Sequence, residues 1–223
     1  MRGLFVAGTD TGVGKTEVSC ALLANARAAG IDAVGMKPAQ SGAAPGERTD
    51  AERLWDASDR VEPLEVVCPY SFAAPLAPAV AARLEGRPVS FGAIVDGVRA
   101  LAARHDAVLV EGAGGLIVPL TEGETYADLA VALGLPVLVV ARAGLGTVNH
   151  TALTLEALRA RGLALAGVVL NRACDTDDAS VPYNVAEIAR VTGCEPAASL
   201  PHARDIAERQ RFLRSRLAGK IQF

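Results

Sequence analysis

Only 4% of the 223 residues are aromatic, and the sequence holds a single tryptophan. Its hydrophobic fraction of 51% therefore rests mostly on Ala, Val and Leu, the material of short buried strands and close-packed helices. Cysteine is scarce and unpaired: Cys20, Cys68, Cys174 and Cys194 form no Cys-x-x-Cys motif, which points to reduced thiols and a cytoplasmic protein. Charge of one sign is also missing. The formal net charge is -3, with acidic and basic residues interspersed, so the basic footprint of a nucleic-acid binder is absent. No apolar run is long enough for a membrane span: the first reaches only from Gly3 to Gly8, and the longest, Leu129 to Ala141, is broken by Gly134 and Pro136. Neither secretion nor membrane insertion is expected, and no internal repeat or low-complexity tract is present.

What the sequence does contain is alternation. Leu4–Ala7, Val34–Met36, Ala107–Val110, Val137–Ala141 and Ala166–Leu170 read as strands buried on both faces. Between them, helical periodicity covers Lys15–Ala29, Phe91–Arg104 behind a Ser90 N-cap, Tyr126–Leu133 behind Thr125, Val148–Arg161, Asn184–Thr192 and Ala203–Leu217. Gly30, Gly134, Gly162 and Gly193 punctuate four helix ends. Gly42–Glu47 and Cys174–Pro182 read as surface loops. The expectation is one α/β domain over residues 1–223, a mostly parallel sheet with helices on both faces, whose ligand crevice lies at the carboxyl ends of the strands.

Three motifs stand at those ends. Gly8-Thr9-Asp10-Thr11-Gly12-Val13-Gly14-Lys15-Thr16 follows the first strand and opens a helix. Its glycines let backbone amides curl round phosphates, Lys15 neutralises them, and Thr16 can ligate magnesium, so the segment is a P-loop and the expected fold is that of P-loop NTPases. In strict register Thr9 stands where the opening glycine falls, with Gly8 one place earlier, so the match is a variant one. Lys37-Pro38-Ala39-Gln40-Ser41-Gly42 follows the next strand; by itself Lys37 would read as a solvated charge on an exposed turn. Ala107–Val110 runs into Glu111-Gly112-Ala113-Gly114-Gly115, where a carboxylate behind a P-loop's buried strand resembles a Walker B magnesium ligand. Taken alone, Glu111 would as easily be an incidental acid in a glycine turn.

Taken in order, GTDTGVGKT, KPAQSG, PYSFAAPLAPAVAA, VEGAGGLIVPL, GLGTVNHTALTLEAL and GVVLN follow one another as they do in dethiobiotin synthetases, and the resemblance covers nearly the whole chain. It implies a magnesium- and ATP-dependent ligase that closes a cyclic urea on 7,8-diaminopelargonic acid with CO2, by way of a carbamate and a carbamic-phosphoric mixed anhydride. By resemblance, Lys37 binds the carbamate and the transferring phosphoryl group, with Lys15 and Thr11 at the same centre. Thr16, Asp50 and Glu111 match magnesium positions, although Asp50 read without the family would pass as a helix N-cap. Gly12, Val13, Gly14, Glu17, Gly112, Ala113 and Gly114 fall in the nucleotide site. Asn171, with Arg172, Pro201, His202, Ala203 and Glu208, matches the nucleobase pocket. Ser41 matches a substrate-contacting hydroxyl, Gly146, Thr147, Val148 and Asn149 match a loop reaching the substrate carboxylate from the neighbouring subunit of a homodimer, and Tyr183 is a looser candidate for that carboxylate site. His105 and His150 are assigned no acid-base work.

The chain departs from the family at Ala77-Pro78-Ala79, where Ser-Pro-His is frequent, so polar contacts from that segment are not expected. The competing reading is a MinD- or ParA-like switch ATPase. That class carries a second P-loop lysine, whose position here is taken by Asp10.

Overall fold

The computed structural model describes residues 1–223 apart from 43–45, 47, 173–176, 203–205, 220 and 222–223, and gives only the backbone of residues 206–209. Six strands form a parallel sheet: β1 (Gly3–Gly8), β2 (Ala33–Met36), β5 (Ala107–Gly115), β6 (Val137–Arg142), β7 (Leu165–Asn171) and β8 (Ala198–Leu200), in the spatial order β2-β5-β1-β6-β7-β8. A second, two-stranded parallel ladder joins β3 (Ala39–Ser41) to β4 (Tyr70–Phe72).

Alternation along the strands sorts the core into two layers. Leu4 and Val6 of β1, Leu109 of β5 and Leu138 and Val140 of β6 face helix α1 (Lys15–Ala28) and helix α9 (Ile206–Leu217), where Leu22, Leu23, Leu213 and Leu217 meet them. Phe5 and Ala7, Val108 and Val110, Val137 and Val139 point the other way. They pack under α5 (Phe91–Arg104), α6 (Tyr126–Leu133), α7 (Thr147–Ala160) and α8 (Val181–Thr192). The central strands carry apolar residues on both faces because both faces are covered.

The five long strands and all six helical segments expected from periodicity are present. Ser90 and Thr125 cap α5 and α6, each accepting a backbone N–H three residues on. Gly30, Gly134, Gly162 and Gly193 all adopt positive φ after their helices. Several boundaries moved, and three of the shifts touch expected site residues or loops. β5 does not stop at Val110 but continues to Gly115, so Glu111 lies in the strand rather than in a turn. α8 starts at Val181, so the loop expected through Pro182 ends earlier, and Ala203 at the start of the last expected helix lies outside the described residues. α7 begins one residue early, at Thr147.

Residues 39–84 hold elements that periodicity did not reveal: β3, β4, α2 (Asp50–Ala57), the single turn α3 (Leu64–Val67) and α4 (Pro78–Leu84). β3, β4, α3 and α4 are too short to show a period, while α2 equals α6 in length but buries only Ala51 and Leu54. A local signal for α2 was nevertheless present, because Thr49 and Glu52 form a capping box. The N-cap is therefore Thr49, and Asp50 is the first residue of the helix rather than its cap.

At the amino ends of the strands, His105 is a structural residue. Its Nδ1 lies 2.8 Å from Asp32 and its Nε2 2.9 Å from Glu62, tying the end of α5 to the segments before β2 and α3. Stability rests on the central layer. Leu109, fully buried in β5 against α1, is expected to cost roughly 2–5 kcal/mol when replaced by alanine, through lost burial and a residual cavity. Urea unfolding of Leu109→Ala against the parent protein would measure this, and a cost under about 0.5 kcal/mol would show that the layer is not closely packed there.

Candidate active site

The P-loop turns directly out of β1. Thr9 donates its N–H to the Val140 carbonyl of β6 at 3.0 Å, and Thr11 donates to the Asp10 carboxylate at 2.7 Å. Asp10 also pairs with Arg142 at the end of β6, and Lys15 Nζ donates to the Asp10 carbonyl at 3.2 Å. A side chain at Gly8 would put Cβ 2.7 Å from the carbonyls of Asp10 and Gly114. Gly14, at φ 91°, is still more confined, since a Cβ there would fall 1.9 Å from Asn171 Nδ2. These glycines are dictated by close approach of the loop to its neighbours.

The register of the sheet brings the charged residues together. Ala33 of β2 pairs with Ala107 of β5 and Met36 with Val110, so Lys37 and Glu111 follow at the next step. By parity with Leu109, Glu111 faces α1, where the Thr16 hydroxyl of its first turn donates to Glu111 Oε1 at 2.7 Å. Lys37 leaves the sheet there, its N–H donating to the Val67 carbonyl at 2.8 Å. Lys37 Nζ lies 2.6 Å from Glu111 Oε1, 3.0 Å from Asp50 Oδ2 and 3.4 Å from the Gly112 carbonyl. Far from being a solvated turn residue, Lys37 is 2% exposed. A lysine this deep is sustained by a buried carboxylate beside it.

Burial works against charge on both lysines, but their surroundings differ. Lys37 is held above the ordinary lysine range because Glu111 and Asp50 outweigh its desolvation. Among the described residues Lys15 has no direct carboxylate partner; burial, followed by repulsion from Lys37, brings it from 10.5 to about 8. Asp50 is held below the usual carboxylate range, since Lys37 outweighs its desolvation. One oxygen of the fully buried Glu111, Oε2, has no hydrogen-bond partner among the described residues. The site therefore retains unsatisfied capacity for a cation.

A cleft of about 710 Å³ opens over these groups. Thr11, Gly12, Gly14, Lys15, Thr16, Glu17, Lys37, Ser41, Asp50, Ala113 and Gly114 line it, so the structure brings these expected residues together, while Pro75, Leu76, Ala77, Pro78 and Val118 make an apolar wall. A second cavity of about 250 Å³ touches Gly12, Val13, Asn171, Arg172, Gly144 and Leu145. Asn171 is buried beneath the P-loop, its Nδ2 donating to the Val13 carbonyl at 2.8 Å, while the Arg172 N–H binds the Leu200 carbonyl of β8. Pro201 and His202 follow β8; Ala203 and the side chain of Glu208 lie outside the described residues. Gly146, Thr147, Val148 and Asn149 form the first turn of α7 and its cap, and Tyr183 is 69% exposed on α8. None of these five lines the main cleft of its own chain.

Sequence reading missed Gln40, which lines the cleft, accepts the Ala51 N–H at 3.1 Å and donates to Ser71 at 3.1 Å, anchoring the helix start that carries Asp50. It also missed Tyr126, whose hydroxyl donates to the Ala39 carbonyl at 3.2 Å and whose ring backs Gly112. No local pattern distinguishes either residue from an ordinary loop amide or core aromatic.

A parallel sheet with a phosphate-cradling loop after β1 and a buried acid within the adjacent strand defines a P-loop nucleotide-binding enzyme. Residues 2–210 match a family model described as an AAA domain. The chain is 85% identical, over the full length of both proteins, to the ATP-dependent dethiobiotin synthetase BioD of Anaeromyxobacter sp. (strain Fw109-5). It is 47% identical over 203 residues, 90% of this chain and 87% of the relative, to the protein of the same name from Rhodococcus jostii (strain RHA1). The chain belongs to the ATP-dependent dethiobiotin synthetase family.

Solved structures extend the fold more widely. A ParA family ATPase from Chlorobium tepidum TLS aligns with a TM-score of 0.57 at 16% identity, covering 97% of this chain and 91% of its own. MinD from Aquifex aeolicus aligns at 0.58 and 14%, covering 96% and 87%. At that identity the likeness is one of fold. At the position of the switch ATPases' second lysine this chain has Asp10, engaged with Arg142.

The depressed Lys15 generates a pH-dependent expectation. Phosphates beside it favour its charged form, so nucleotide binding above about pH 8 should take up a proton, and affinity should weaken as pH rises through that value. Titration calorimetry at about pH 8.5, in buffers of different ionisation enthalpy, should show this uptake for the parent protein. It should vanish in Lys15→Arg, whose guanidinium stays charged. Buffer-independent enthalpies in the parent would refute the assignment.

Proposed function

We propose that the chain, acting as one domain, converts 7,8-diaminopelargonic acid, CO2 and ATP into dethiobiotin, ADP and phosphate. The observation that carries this reading is the Lys37, Glu111 and Asp50 cluster beside the P-loop lysine: two buried cations at the mouth of a cleft with an apolar wall. One amine of the substrate reacts with CO2 to give a carbamate. The carbamate oxygen takes the γ-phosphoryl group of ATP, and the second amine attacks the resulting carbonyl, closing the ring and expelling phosphate.

No side-chain nucleophile is needed, so the residues act by position and charge. Lys15 offsets the polyphosphate charge. Lys37 draws the carbamate and the transferring phosphoryl group into one place, with the Thr11 hydroxyl beside them. The Ser41 hydroxyl contacts the diamine, and Pro75, Leu76, Ala77, Pro78 and Val118 suit an aliphatic chain. The apolar Ala77-Pro78-Ala79 stretch fits that role and supplies no side-chain polar contact.

The Thr16 hydroxyl and the Asp50 and Glu111 carboxylates would hold magnesium. The hard oxygen donors and the unpartnered Glu111 Oε2 fit that ion, and Mg2+ commonly completes its shell with phosphates and waters. When bound, it would neutralise charge on the transferring phosphoryl oxygens. Among the described residues no three His, Cys, Asp or Glu side chains gather into a metal cage, which suits an ion brought in with its nucleotide.

The nucleobase would lie at the ends of β7 and β8, near Asn171, Arg172, Pro201 and His202, with Ala203 and Glu208 beyond. An amide there can both donate and accept hydrogen bonds, which suits adenine. The substrate carboxylate would be met by Gly146, Thr147, Val148 and Asn149 of a second copy in a homodimer, with Tyr183 beside them. The start of α7, capped by no side chain, offers N–H groups suited to an anion, and the 79% exposed Leu145 precedes it. Among the described residues no helix is long and apolar enough to cross a membrane, and Cys20, Cys68 and Cys194 are free thiols; both suit a cytoplasmic enzyme.

Purified protein with magnesium, ATP, bicarbonate and the diamine should yield dethiobiotin, followed by mass spectrometry, and stoichiometric phosphate. Phosphate release that continues without the diamine and gives no dethiobiotin would replace this reading with a switch ATPase. Lys37→Ala should lower ring closure by about a hundred- to a thousandfold, the scale of a lost transition-state charge contact, while magnesium-ATP binding survives. Equal loss of nucleotide binding, read by calorimetry, would refute the placement of Lys37 on the transferring group.

A further inference from the structure

We propose that Lys37 is the resident cation of the nucleotide-free site, its ammonium occupying the Asp50 and Glu111 carboxylates that later hold magnesium, and that it must leave them before it can bind the carbamate. The inference rests on the magnesium assignment of the proposed function and adds an exchange of cations and an order of binding.

The geometry carries the first half. Glu111 is fully buried, and a buried carboxylate without a cation is strongly unfavourable. Lys37 Nζ meets Glu111 Oε1 at 2.6 Å and Asp50 Oδ2 at 3.0 Å, spanning two of the three side chains assigned to the metal. The third, Thr16, donates its hydroxyl to Glu111 Oε1 at 2.7 Å and thus spends the hydroxyl proton on the same oxygen as the lysine. Lys15, the other lysine of the cleft, points its ammonium at the Asp10 carbonyl instead.

The second half follows from charge. An ammonium and a divalent cation about 4 Å apart repel strongly at the effective dielectric of a protein. Two carboxylates cannot comfortably hold both. Lys37 borders the 710 Å³ cleft together with Gln40 and Ser41, so its flexible four-carbon stem has room to swing toward the substrate. Divalent ion alone must displace the lysine unaided and should bind poorly. Polyphosphate supplies further oxygen ligands and tips the exchange, so that Lys37 is released to the carbamate only after the nucleotide is seated.

Manganese serves as the probe, with free Mn2+ counted by electron paramagnetic resonance. Without nucleotide, Lys37→Met should bind Mn2+ at least about tenfold more tightly than the parent protein. Equal or weaker binding by the variant overturns the proposal. Should the variant fail to fold, the parent protein decides. The chain contains only three lysines, Lys15, Lys37 and Lys220, so reductive methylation mapped by mass spectrometry reads each separately. Lys37 should be protected in the nucleotide-free protein and become several-fold more reactive with saturating Mn2+ and ADP, which leaves the substrate end of the cleft open. Protection in both states means that Lys37 never leaves the carboxylates and overturns the exchange. Diamine-dependent dethiobiotin formation by the parent protein tests the enzyme reading separately, and either result there leaves the Mn2+ and labelling measurements interpretable.

Discussion

A salt bridge with almost no access to water, between Lys37 and Glu111, holds the centre of this molecule. Lys37 directly follows β2, and Glu111 lies in the adjacent β5. Lys37 leads through β3 to Asp50 at the start of α2, and Glu111 leads through a glycine-rich bulge to the floor of the cleft. Losing either partner would strand the other charge in the interior, at a cost of about 3–5 kcal/mol by comparison with other buried pairs. Such a pair is weak evidence for stability but strong evidence for register. Shifting β2 by one residue against β5 would turn Lys37 to the opposite face, away from Thr16 and the P-loop.

Around that pair the molecule divides labour between rigid and open parts. The P-loop is clamped from several sides: Thr9 to β6, Asp10 to Arg142, and Asn171 to the Val13 carbonyl. Its amides are thereby held in place before any phosphate arrives, which removes part of the ordering cost of binding. The opposite wall, from Pro75 to Pro78, is apolar and offers shape in place of side-chain hydrogen bonds. The same fold serves ParA and MinD proteins at 14–16% identity, so the fold alone does not decide the chemistry.

Much of this frame could be read before folding was considered. Two-sided apolar runs identified the five main strands, and Ser90, Thr125 and the four glycines marked helix ends, because these are local effects of burial and backbone geometry. The stretch from residue 39 to 84 was illegible for the opposite reason. Its elements are three to eight residues long, and some depend on contacts distant in the chain: β3 on the Tyr126 hydroxyl, and the start of α2 on Gln40. Within the site, the P-loop was legible because its chemistry is contiguous. Lys37 by contrast looked like a surface charge, since its partner is 74 residues away.

By itself the sequence determined the alternation of strand and helix, the phosphate loop with Lys15 and Thr16, and the identity of the charged groups available at the strand ends. These follow from side-chain size, hydrophobicity and the backbone freedom of glycine, all properties of neighbours in the chain. Which strands pair, and in which register, was decided only by the tertiary structure. Placing β5 between β1 and β2 puts Glu111 against both Thr16 and Lys37, and it does so because the whole sheet, buried on two faces at once, admits one arrangement of its apolar residues.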